Sequence, residues 1–472
     1  RLKAIKSLAY NESVRLLEQA DWVLTTYDTL RDQEKYFRAI KWACIVFDEA
    51  QAIKKPSSLK TDMAKAMDAD FSIAVTGTPV DNTLCDLWCI SDAVYPGKLG
   101  LYKNFKEKYE KSEDNHDELK DILVKTQPAF MLRRLKEGNL SGLPKRTFQI
   151  KNKEMPSEQL SLYNAILDNV KKGAYEKAQF QAIHDLKRAS LYDPNLVQEG
   201  AEALIGASAR LQLLLETLDE IKGRGEKVLI FLENREVQTV LIPYLQRKYD
   251  LRTPPLLING AIDGKLRKAK VDDFQSRQDG FDIMVISPKA GGTGLTITKA
   301  NNVIHLDRWW NPAVEDQCND RCYRIGQEKE VNVYVLLAKH PELGDESFDF
   351  IMHSILENKR QLSRDVIVPP HLSKKEMQEF YTQVTGKNIE FQDTKDEFYL
   401  TDAWKRLRLR AIAQYGLRCM KCSAINVEMH VDHIKPRSKY PEMELVFNNL
   451  QVLCRKCNLE KSNVDETDYR PR

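Results

Sequence analysis

The amino-acid sequence predicts an α/β protein with two parallel-sheet lobes, helical insertions and a small metal-binding domain at the C-terminal end. Short, wholly apolar runs alternate with segments of helical periodicity, which is typical of strands buried on both faces of a parallel sheet. The chain has 472 residues, too many for one hydrophobic core, so about three domains are expected. Its last part carries two Cys-x-x-Cys pairs, which begin at Cys419 and Cys454.

Basic residues concentrate in the C-terminal part of the chain. Residues 404–472 contain 14 Lys and Arg against 8 Asp and Glu, although the net charge of the whole chain is only +3. This clustering favours a phosphate backbone as the partner. No run approaches the roughly 18 consecutive apolar residues that a membrane span needs, so no membrane association is predicted. Arg1 is not a natural first residue, and we expect the natural chain to begin further upstream.

Residues 1–135 are predicted to form the later part of a first lobe, with strands at Asp21–Tyr27, Trp42–Phe47 and Phe71–Val75. The second of these runs directly into Asp48 and Glu49, at the edge where parallel sheets carry ligands. Phosphoryl transfer needs one carboxylate to hold Mg²⁺ on the nucleotide and another to orient and deprotonate the attacking water. The glycine-rich phosphate loop that should precede such a pair is missing from the sequence. We therefore expect a C-terminal fragment of a longer motor, with half of an ATP site.

Residues 221–345 are predicted to form a second lobe, and residues 136–220 a crossing and helical insertion between the lobes. Its expected strands are Lys227–Leu232, Pro255–Ile258, Asp282–Ser287, Val303–Leu306 and Val331–Leu337. The third leads into Lys-Ala-Gly-Gly-Thr-Gly-Leu, residues 289–295, where Gly292 and Gly294 let the backbone approach a ligand and offer N–H groups to oxygens. Residues 346–400 are expected to form a bracing helix (346–362) and a polar linker (365–400), and residues 401–472 the C-terminal domain.

The segment from His305 to Gln327, HLDRWWNPAVEDQCNDRCYRIGQ, is the most informative stretch of the sequence. A helix from Ala313 would place Gln317, Arg321 and Arg324 on one face, at i, i+4 and i+7. Guanidinium groups are seldom buried unpaired, and their planar donors suit phosphate at a domain interface. The alternative is a helix with a solvated basic face.

Four of these stretches closely resemble motor motifs of the Swi/Snf family of ATP-driven DNA translocases, within the helicase-like class. They are DEAQ at 48–51, TGTP at 76–79, KAGGTGL at 289–295 and WWNPAVEDQCNDRCYRIGQ at 309–327. The resemblance implies two RecA-like lobes, the first truncated at its N-terminal side, and ATP with Mg²⁺ as ligands. It implies that Asp48 helps hold Mg²⁺, that Glu49 activates water, and that Arg321 and Arg324 reach the ATP phosphates. The nucleotide-contacting residues would include Gln317, Gly292 and Gly294. Gln51 stands where the family usually has His.

The four tail cysteines Cys419, Cys422, Cys454 and Cys457 have the spacing of a closed zinc site, which indicates a reducing compartment rather than a disulfide scaffold. The residues between and around them resemble the HNH endonuclease family, including its W-x-x-x-R lead-in at Trp404. The resemblance implies a zinc-held ββα-metal finger with a second divalent ion, Mg²⁺ or Mn²⁺. Its site residues would be His433 as general base, Asp432 and Asn458 as metal ligands, and Asn449 as the residue that orients the imidazole. The alternative is a zinc ribbon that only binds DNA.

The sequence therefore predicts an ATP-dependent DNA translocase coupled to a metal-dependent HNH endonuclease. Double-stranded or branched DNA is the expected substrate, and DNA repair, fork remodelling or restriction and defence are the expected settings. The compact layout favours a prokaryotic cytoplasm or nucleoid over a eukaryotic nucleus. Two rivals remain, a remodelling motor with a DNA-binding zinc tail and a catalytically degenerate DNA-binding adaptor. The intact Asp-Glu, Gln-x-x-x-Arg-x-x-Arg and Asp-His sets argue against the adaptor.

Overall fold

A computed structural model of the chain describes residues 10–56, 58–80, 83–110, 115–126, 129–134, 142–175, 178–291, 294–365, 374–387, 402–416, 418–425, 429–437, 439–461 and 465–470. The chain divides into two compact units, Arg1–Ile389 and Glu390–Arg472. Each unit is described separately.

The described strands form three sheets. They are β1 (Trp42–Asp48), β2 (Ala69–Val75), β3 (Arg146–Glu154), β4 (Lys227–Phe231), β5 (Leu256–Ile258), β6 (Asp282–Ile286), β7 (Asn302–His305), β8 (Val331–Lys339), β9 (Met429–His433) and β10 (Leu450–Cys454). The pair β1–β2 is parallel, the pair β9–β10 is antiparallel, and the other six strands form one parallel sheet.

The described helices of the first unit follow in chain order. They are α1 (Tyr10–Glu18), α2 (Tyr27–Asp32), α3 (Glu34–Phe37), α4 (Leu59–Lys65), α5 (Leu84–Val94), α6 (Tyr102–Phe105), α7 (His116–Lys120), α8 (Ser157–Lys171), α9 (Gln179–Ala189), α10 (Ala201–Gly206), α11 (Ala209–Gly223), α12 (Arg235–Lys248), α13 (Gly264–Ser276), α14 (Pro288–Gly291), α15 (Pro312–Asn319), α16 (Phe348–Asp365) and α17 (Lys374–Thr385). The second unit contributes α18 (Asp402–Tyr415) and α19 (Arg455–Lys461). In the described part of the chain, none of these helices is long and apolar enough to cross a membrane.

The six-stranded sheet has the order β3-β8-β7-β4-β6-β5, and every neighbouring pair is parallel. The five strands predicted for the second lobe are confirmed, each with bounds within about two residues of the expected ones. These predictions succeeded because the strands are uniformly buried. Apolar neighbours cover both faces of β4 and β7. The edge strand β3 was not predicted. It lies in the segment assigned to the crossing between the lobes, and its burial alternates along the strand.

The two-stranded sheet of the first lobe brings two motifs to one edge. Its register pairs Asp48 with Val75, so the loops after β1 and β2 emerge side by side. Phe47 packs with the helices on one face, whereas Val46 and Ile73 on the other face are 54% and 38% exposed. The expectation that this strand is buried on both faces is therefore wrong. Among the described residues β1 and β2 pair only with each other, and apolar partners cover one face.

Two other sequence predictions fail for local reasons. The predicted strand at Asp21–Tyr27 is absent, because the Thr26 hydroxyl accepts a hydrogen bond from Thr29 N (3.1 Å) and begins helix α2 instead. The expected bracing helix is confirmed as α16, but the predicted linker after it contains helix α17. Phe380 of α17 is buried against Phe348 with a ring-centroid separation of 5.0 Å. Residues 366–373 and 388–400 of that linker lie outside the described residues.

A buried ion pair joins the bracing helix to the sheet. Arg210 of α11 donates from Nε to Oδ2 of Asp349 on α16 (2.6 Å), and its Nη2 donates to Oδ1 of the same carboxylate. Arg210 Nη1 also donates to the carbonyl of Leu306, just after β7, at 3.0 Å. Ala338 N of β8 donates to Asp349 as well, at 2.7 Å. Both side chains are almost fully buried, so the pair ties two helices to two central strands.

Asp349→Asn should destabilise the first unit by about 3–5 kcal/mol, because it leaves the buried Arg210 guanidinium without its charged partner. Urea unfolding followed by intrinsic fluorescence measures this change in the free energy of unfolding. Glu216→Gln is the matched control, since Glu216 lies on α11, the helix that carries Arg210, and pairs with Lys153 at the surface. The control should change the free energy by less than about 1 kcal/mol. Equal effects of the two substitutions would contradict the assignment.

Candidate functional site

Glu49, the second of the two acidic residues at the end of β1, is linked by hydrogen bonds to the loop after β2. Gln51 Nε2 donates to Glu49 Oε2 at 2.6 Å, and Thr76 Oγ1 donates to Gln51 Oε1 at 2.7 Å. Glu49 itself has a left-handed backbone, with φ of 49°, which costs a non-glycine residue free energy and is found mainly at functional sites. Gln51, the residue that departs from the expected His, therefore connects the Glu49 carboxylate to the Thr-Gly-Thr-Pro loop.

Tyr27 supports the same edge from helix α2. Its hydroxyl donates to the carbonyl of Asp48 at 2.8 Å. Burial, together with the nearby carboxylates of Asp48 and Glu49, raises the pKa of Tyr27 to about 12. The phenol therefore stays protonated and keeps its role as a donor, which fixes the strand end that carries both carboxylates.

Helix α15 ends earlier than the sequence predicted. It spans Pro312–Asn319, so Gln317, Arg321 and Arg324 do not share one helical face. Backbone N–H groups of Cys322 and Tyr323 both donate to the carbonyl of Asn319, at 3.2 Å and 3.0 Å, and the chain turns there.

The side-chain amide of Gln327 holds the turn that follows Asn319. Gln327 Nε2 donates to the carbonyls of Thr298, Ala300 and Cys322, at 3.0, 2.8 and 3.2 Å. These tertiary hydrogen bonds replace the helical ladder beyond Asn319.

Arg321 lies in this turn with its guanidinium buried and incompletely paired. Nη1 donates to the carbonyl of Leu295 at 3.4 Å, and Nε has no hydrogen-bond partner within the described residues. Burial lowers the pKa of Arg321, while the carboxylates of Asp320 and Glu49 oppose that change. Glu49 and Arg321 therefore act on each other electrostatically. A buried guanidinium that lacks acceptors fits a phosphate group.

The other predicted residues of this region are placed differently. Arg324 is exposed and Gln317 is partly exposed. Gly294 is exposed with φ of +55°, a left-handed conformation that glycine adopts without strain. Gly292 lies outside the described residues. Lys289, at the start of the same loop, places its ammonium 5.2 Å from the centre of the Trp309 ring.

A buried charge network, missed by sequence reasoning, holds the start of helix α15. Arg308 Nε donates to Glu315 Oε1 at 2.8 Å, and Arg360 Nη2 donates to Glu315 Oε2 at 2.6 Å. Trp309 N donates to Glu315 Oε1 at 3.0 Å. The only indication of this network in the sequence is Glu315 itself, a glutamate at a helical position that must face the interior. Its partner Arg360, 45 residues later on helix α16, could not be assigned from spacing.

The four tail cysteines converge in the second unit. Their Sγ atoms all lie within 4.8 Å of one another, and those of Cys422 and Cys454 are 3.7 Å apart. Tetrahedral zinc with Zn–S bonds of about 2.3 Å requires sulfur atoms about 3.8 Å apart. Burial would raise the pKa of the Cys419 thiol, but N–H groups of Cys422 and Cys454 outweigh it and lower that pKa to about 6. The donor set therefore fits zinc.

His433 lies at the end of β9 with its ring fixed on two sides. Its Nε2 lies 2.9 Å from the carbonyl of Glu444, and a carbonyl only accepts, so Nε2 carries the proton and Nδ1 the lone pair. The Trp404 ring stacks on the imidazole, with centroids 4.9 Å apart. Sequence reasoning predicted the histidine but neither the Glu444 carbonyl nor the stacking role of Trp404.

Asn449 does not orient the imidazole directly, which corrects the prediction. Its Nδ2 donates to the carbonyls of Lys435 and Met443, at 3.1 and 3.2 Å, and its Oδ1 accepts from Lys435 N at 2.8 Å. The side chain is thus occupied in holding the loop between β9 and β10. Because that loop carries Glu444, Asn449 influences His433 only through the backbone.

The two predicted metal ligands lie on elements that pack together. Asp432 is on β9, and its Oδ2 accepts from Gln451 Nε2 of β10 at 3.1 Å. The same oxygen lies 3.2 Å from Lys461 Nζ on α19. Asn458 lies three residues before Lys461, on the same face of that helix. The geometry therefore places Asn458 on the side of α19 that faces Asp432.

Three family models match the chain. An SNF2-related domain matches residues 5–197, a helicase conserved C-terminal domain matches residues 209–326, and an HNH endonuclease matches residues 417–464. The chain combines an SNF2-type helicase core with an HNH endonuclease domain. The matches imply nucleotide and divalent-metal use and support DNA binding.

The chain is also similar to individual proteins. The chain is 36% identical over 399 residues to the Zorya protein ZorD of Escherichia coli O139:H28, covering 79% of this chain and 36% of that protein. It is 34% identical over 325 residues to an ATP-dependent helicase of Mycoplasma genitalium, MG018, covering 67% and 30% respectively. A solved SWI2/SNF2 ATPase core from Sulfolobus solfataricus, in complex with double-stranded DNA, has 28% identity and a TM-score of 0.41, covering 80% of this chain and 78% of that one. The chain thus spans about a third of the length of these two curated relatives.

Cys422→Ser should abolish zinc binding by the HNH domain and unfold its zinc-held end. Because the Cys422 side chain is exposed, the substitution costs little packing and reports mainly on the loss of a metal ligand. Zinc per chain, measured by mass spectrometry of the purified protein, should fall from one to well below one. Cys44→Ser, at another exposed cysteine far from the cluster in sequence, should leave zinc content unchanged. Full zinc in the Cys422 variant would exclude the four-cysteine site.

Proposed function

We propose that the protein is an ATP-dependent DNA translocase coupled to a metal-dependent HNH endonuclease. The observation that carries the nuclease proposal is the contact between His433 Nε2 and the Glu444 carbonyl. Its Nε2 lies 2.9 Å from the Glu444 carbonyl, and the ring stands at the strand end that also carries Asp432, where Nδ1 would act as the base. A zinc ribbon that only bound DNA would not need this arrangement.

Phosphodiester hydrolysis needs a base for water and stabilisation of the charge that develops on the phosphate. His433 Nδ1 takes the proton from the attacking water, and Trp404 limits the ring to one plane. Asp432 and Asn458 would hold a divalent ion, Mg²⁺ or Mn²⁺. That ion, when bound, supplies Lewis-acid stabilisation of the phosphate and of the leaving oxygen. Oxygen ligands suit such hard cations, whereas the four thiolates suit zinc, which has a structural role.

The motor half is supported by the buried Arg321 guanidinium, whose Nε has no hydrogen-bond partner within the described residues and whose pKa is influenced by the Glu49 carboxylate. In the proposed cycle Asp48 helps hold Mg²⁺ on ATP, Glu49 orients the attacking water, and Arg321 and Arg324 stabilise the charge on the phosphates. Gln317, Gly292 and Gly294 would line the nucleotide site. Through the Glu49–Gln51–Thr76 hydrogen bonds, a change at the nucleotide would be transmitted directly to the loop after β2.

We assign the first lobe to residues 1–135, the second to 221–345 and the nuclease to 401–472.

Duplex or branched DNA is the proposed substrate, because the basic HNH region and the motor family both act on a phosphate backbone. Bacterial relatives favour a prokaryotic cytoplasm or nucleoid. Restriction or defence is the role that we favour over DNA repair or fork remodelling, because the compact prokaryotic-type chain joins a motor and a nuclease directly.

His433→Ala should abolish cleavage of supercoiled and branched DNA in Mn²⁺ or Mg²⁺, with a rate loss of roughly 10²–10⁴-fold, because the general base is removed. Plasmid nicking and linearisation on gels measure the rate, first without ATP. His430→Asn is the control, since His430 lies on the same strand and we assign it no chemical role. Cleavage by wild type and His430→Asn but not by His433→Ala is the expected result. Equal cleavage by all three would refute the nuclease assignment and favour a motor with a DNA-binding tail.

Arg321→Ala should lower DNA-stimulated ATP hydrolysis by roughly 10³-fold, because the substitution removes the buried guanidinium that faces the phosphates. Phosphate release is measured on this chain together with any segment that precedes Arg1 in its gene. Arg252→Ala, at an exposed arginine in a turn, should leave the rate unchanged. Undiminished hydrolysis in the Arg321 variant would remove this residue from the nucleotide site.

A further inference from the structure

The Lys461 side chain is buried in the HNH domain with three acceptor oxygens close to its ammonium. Its Nζ donates to the carbonyls of His433 and Ile434, at 3.0 and 3.1 Å. Its third neighbour is Asp432 Oδ2, at 3.2 Å. Only 1% of the Lys461 side chain is exposed. The three acceptors belong to three consecutive residues, which include the proposed base and a proposed metal ligand.

Burial of this ammonium has a clear physical requirement. An unpaired buried cation costs several kcal/mol, and the cost is offset only if each donor finds a partner. Lys461 has three N–H donors and three acceptors within reach, so its position relative to the end of β9 is fixed. The same geometry excludes Lys461 as a contact for a DNA phosphate, since its donors are occupied and shielded from solvent.

The helix that carries Lys461 is itself anchored by the cysteine cluster. Cys457 and Lys461 are four residues apart on α19, and therefore on one face of the helix. A zinc ion at the cluster fixes Cys457 in space, and the helix transmits that position to the ammonium. Lys461 is thus the link between the zinc-held scaffold and the strand end that carries the chemistry.

Asp432 is oriented by the same set of contacts. Both Lys461 and Gln451 contact Oδ2 of its carboxylate. Oδ1 is therefore the oxygen that can face a divalent ion. Gln451 continues to hold Oδ2 when Lys461 is removed, whereas the carbonyls of His433 and Ile434 lose their shared donor.

We propose that Lys461 is a positioning residue of the HNH nuclease, a proposal that rests on the nuclease function proposed above. It holds the end of β9 so that the His433 base and the Asp432 ligand keep a fixed relation to each other. Loss of Lys461 should then impair turnover by displacing the base. It should not weaken divalent-ion binding, because Gln451 still holds Asp432 and a neighbouring positive charge is removed.

The test compares Lys461→Met with wild type in the full chain, using Mn²⁺ as the probe ion. Loss of a positioning contact of this kind costs roughly 10–100-fold, so we expect plasmid cleavage at saturating Mn²⁺ to fall by that factor. The Mn²⁺ dissociation constant, measured from the electron paramagnetic resonance signal of free Mn²⁺, should be unchanged or smaller. Zinc content should remain one per chain. Lys421→Met is the matched control, since Lys421 pairs at the surface with Glu460 on the same helix.

Three results would overturn the proposal: wild-type turnover in Lys461→Met, a rate loss explained by weaker Mn²⁺ binding, or an equal loss in Lys421→Met. Should Lys461→Met lose zinc, Lys461→Gln, which keeps two N–H donors, is judged by the same criteria. Failure of the nuclease function itself is distinguishable, because wild type would then bind Mn²⁺ without cutting DNA. In that case both the nuclease function and the positioning role of Lys461 would be refuted.

Discussion

The Glu315 carboxylate, shared by Arg308 and Arg360, is the interaction on which the arginine-bearing segment of the SNF2-type core depends. Burial alone would raise its pKa, but the two guanidinium groups hold that pKa well below its usual range. Glu315 is therefore ionised throughout the physiological pH range, and its ion pairs persist across that range. It joins Arg308, three residues after β7, to the first turn of α15 and to helix α16. Arg321 follows directly from the helix that this network fixes.

Buried charge networks of this kind fix the positions of strands and helices more than they stabilise the fold. Replacing a buried ion pair by apolar residues of similar volume is often neutral, whereas removing one partner is strongly destabilising. The Arg210–Asp349 pair follows the same rule, because it connects α11 and α16 to the ends of central strands. We infer that these charges are placed where a strand end must be held in one position.

The sequence predicted those parts of the protein that local pattern determines. Strands β4, β6 and β7 are short apolar runs, and the proposed site residues were singled out because they follow such runs or have metal-ligand spacing. The failures share a different cause. The early end of α15 depends on Gln327, helix α2 begins at the Thr26 cap, and His433 is oriented by a carbonyl rather than by Asn449. Each depends on hydrogen bonds to side chains or backbone that periodicity cannot reveal.

The core and the HNH domain fix the position of the chain after a strand end in the same way. In the HNH domain the proposed base stands at the end of β9, and in the core the segment that leads to Arg321 begins after β7. In both places the backbone leaves the sheet and loses its ladder of hydrogen bonds. A buried cation on a later helix then binds that region, Arg360 through Glu315 in the core and Lys461 through two carbonyls in the nuclease. Because a buried cation tolerates few positions, it restricts the strand end more tightly than apolar packing could. This requirement explains why residues with no direct part in the chemistry are charged and almost fully buried.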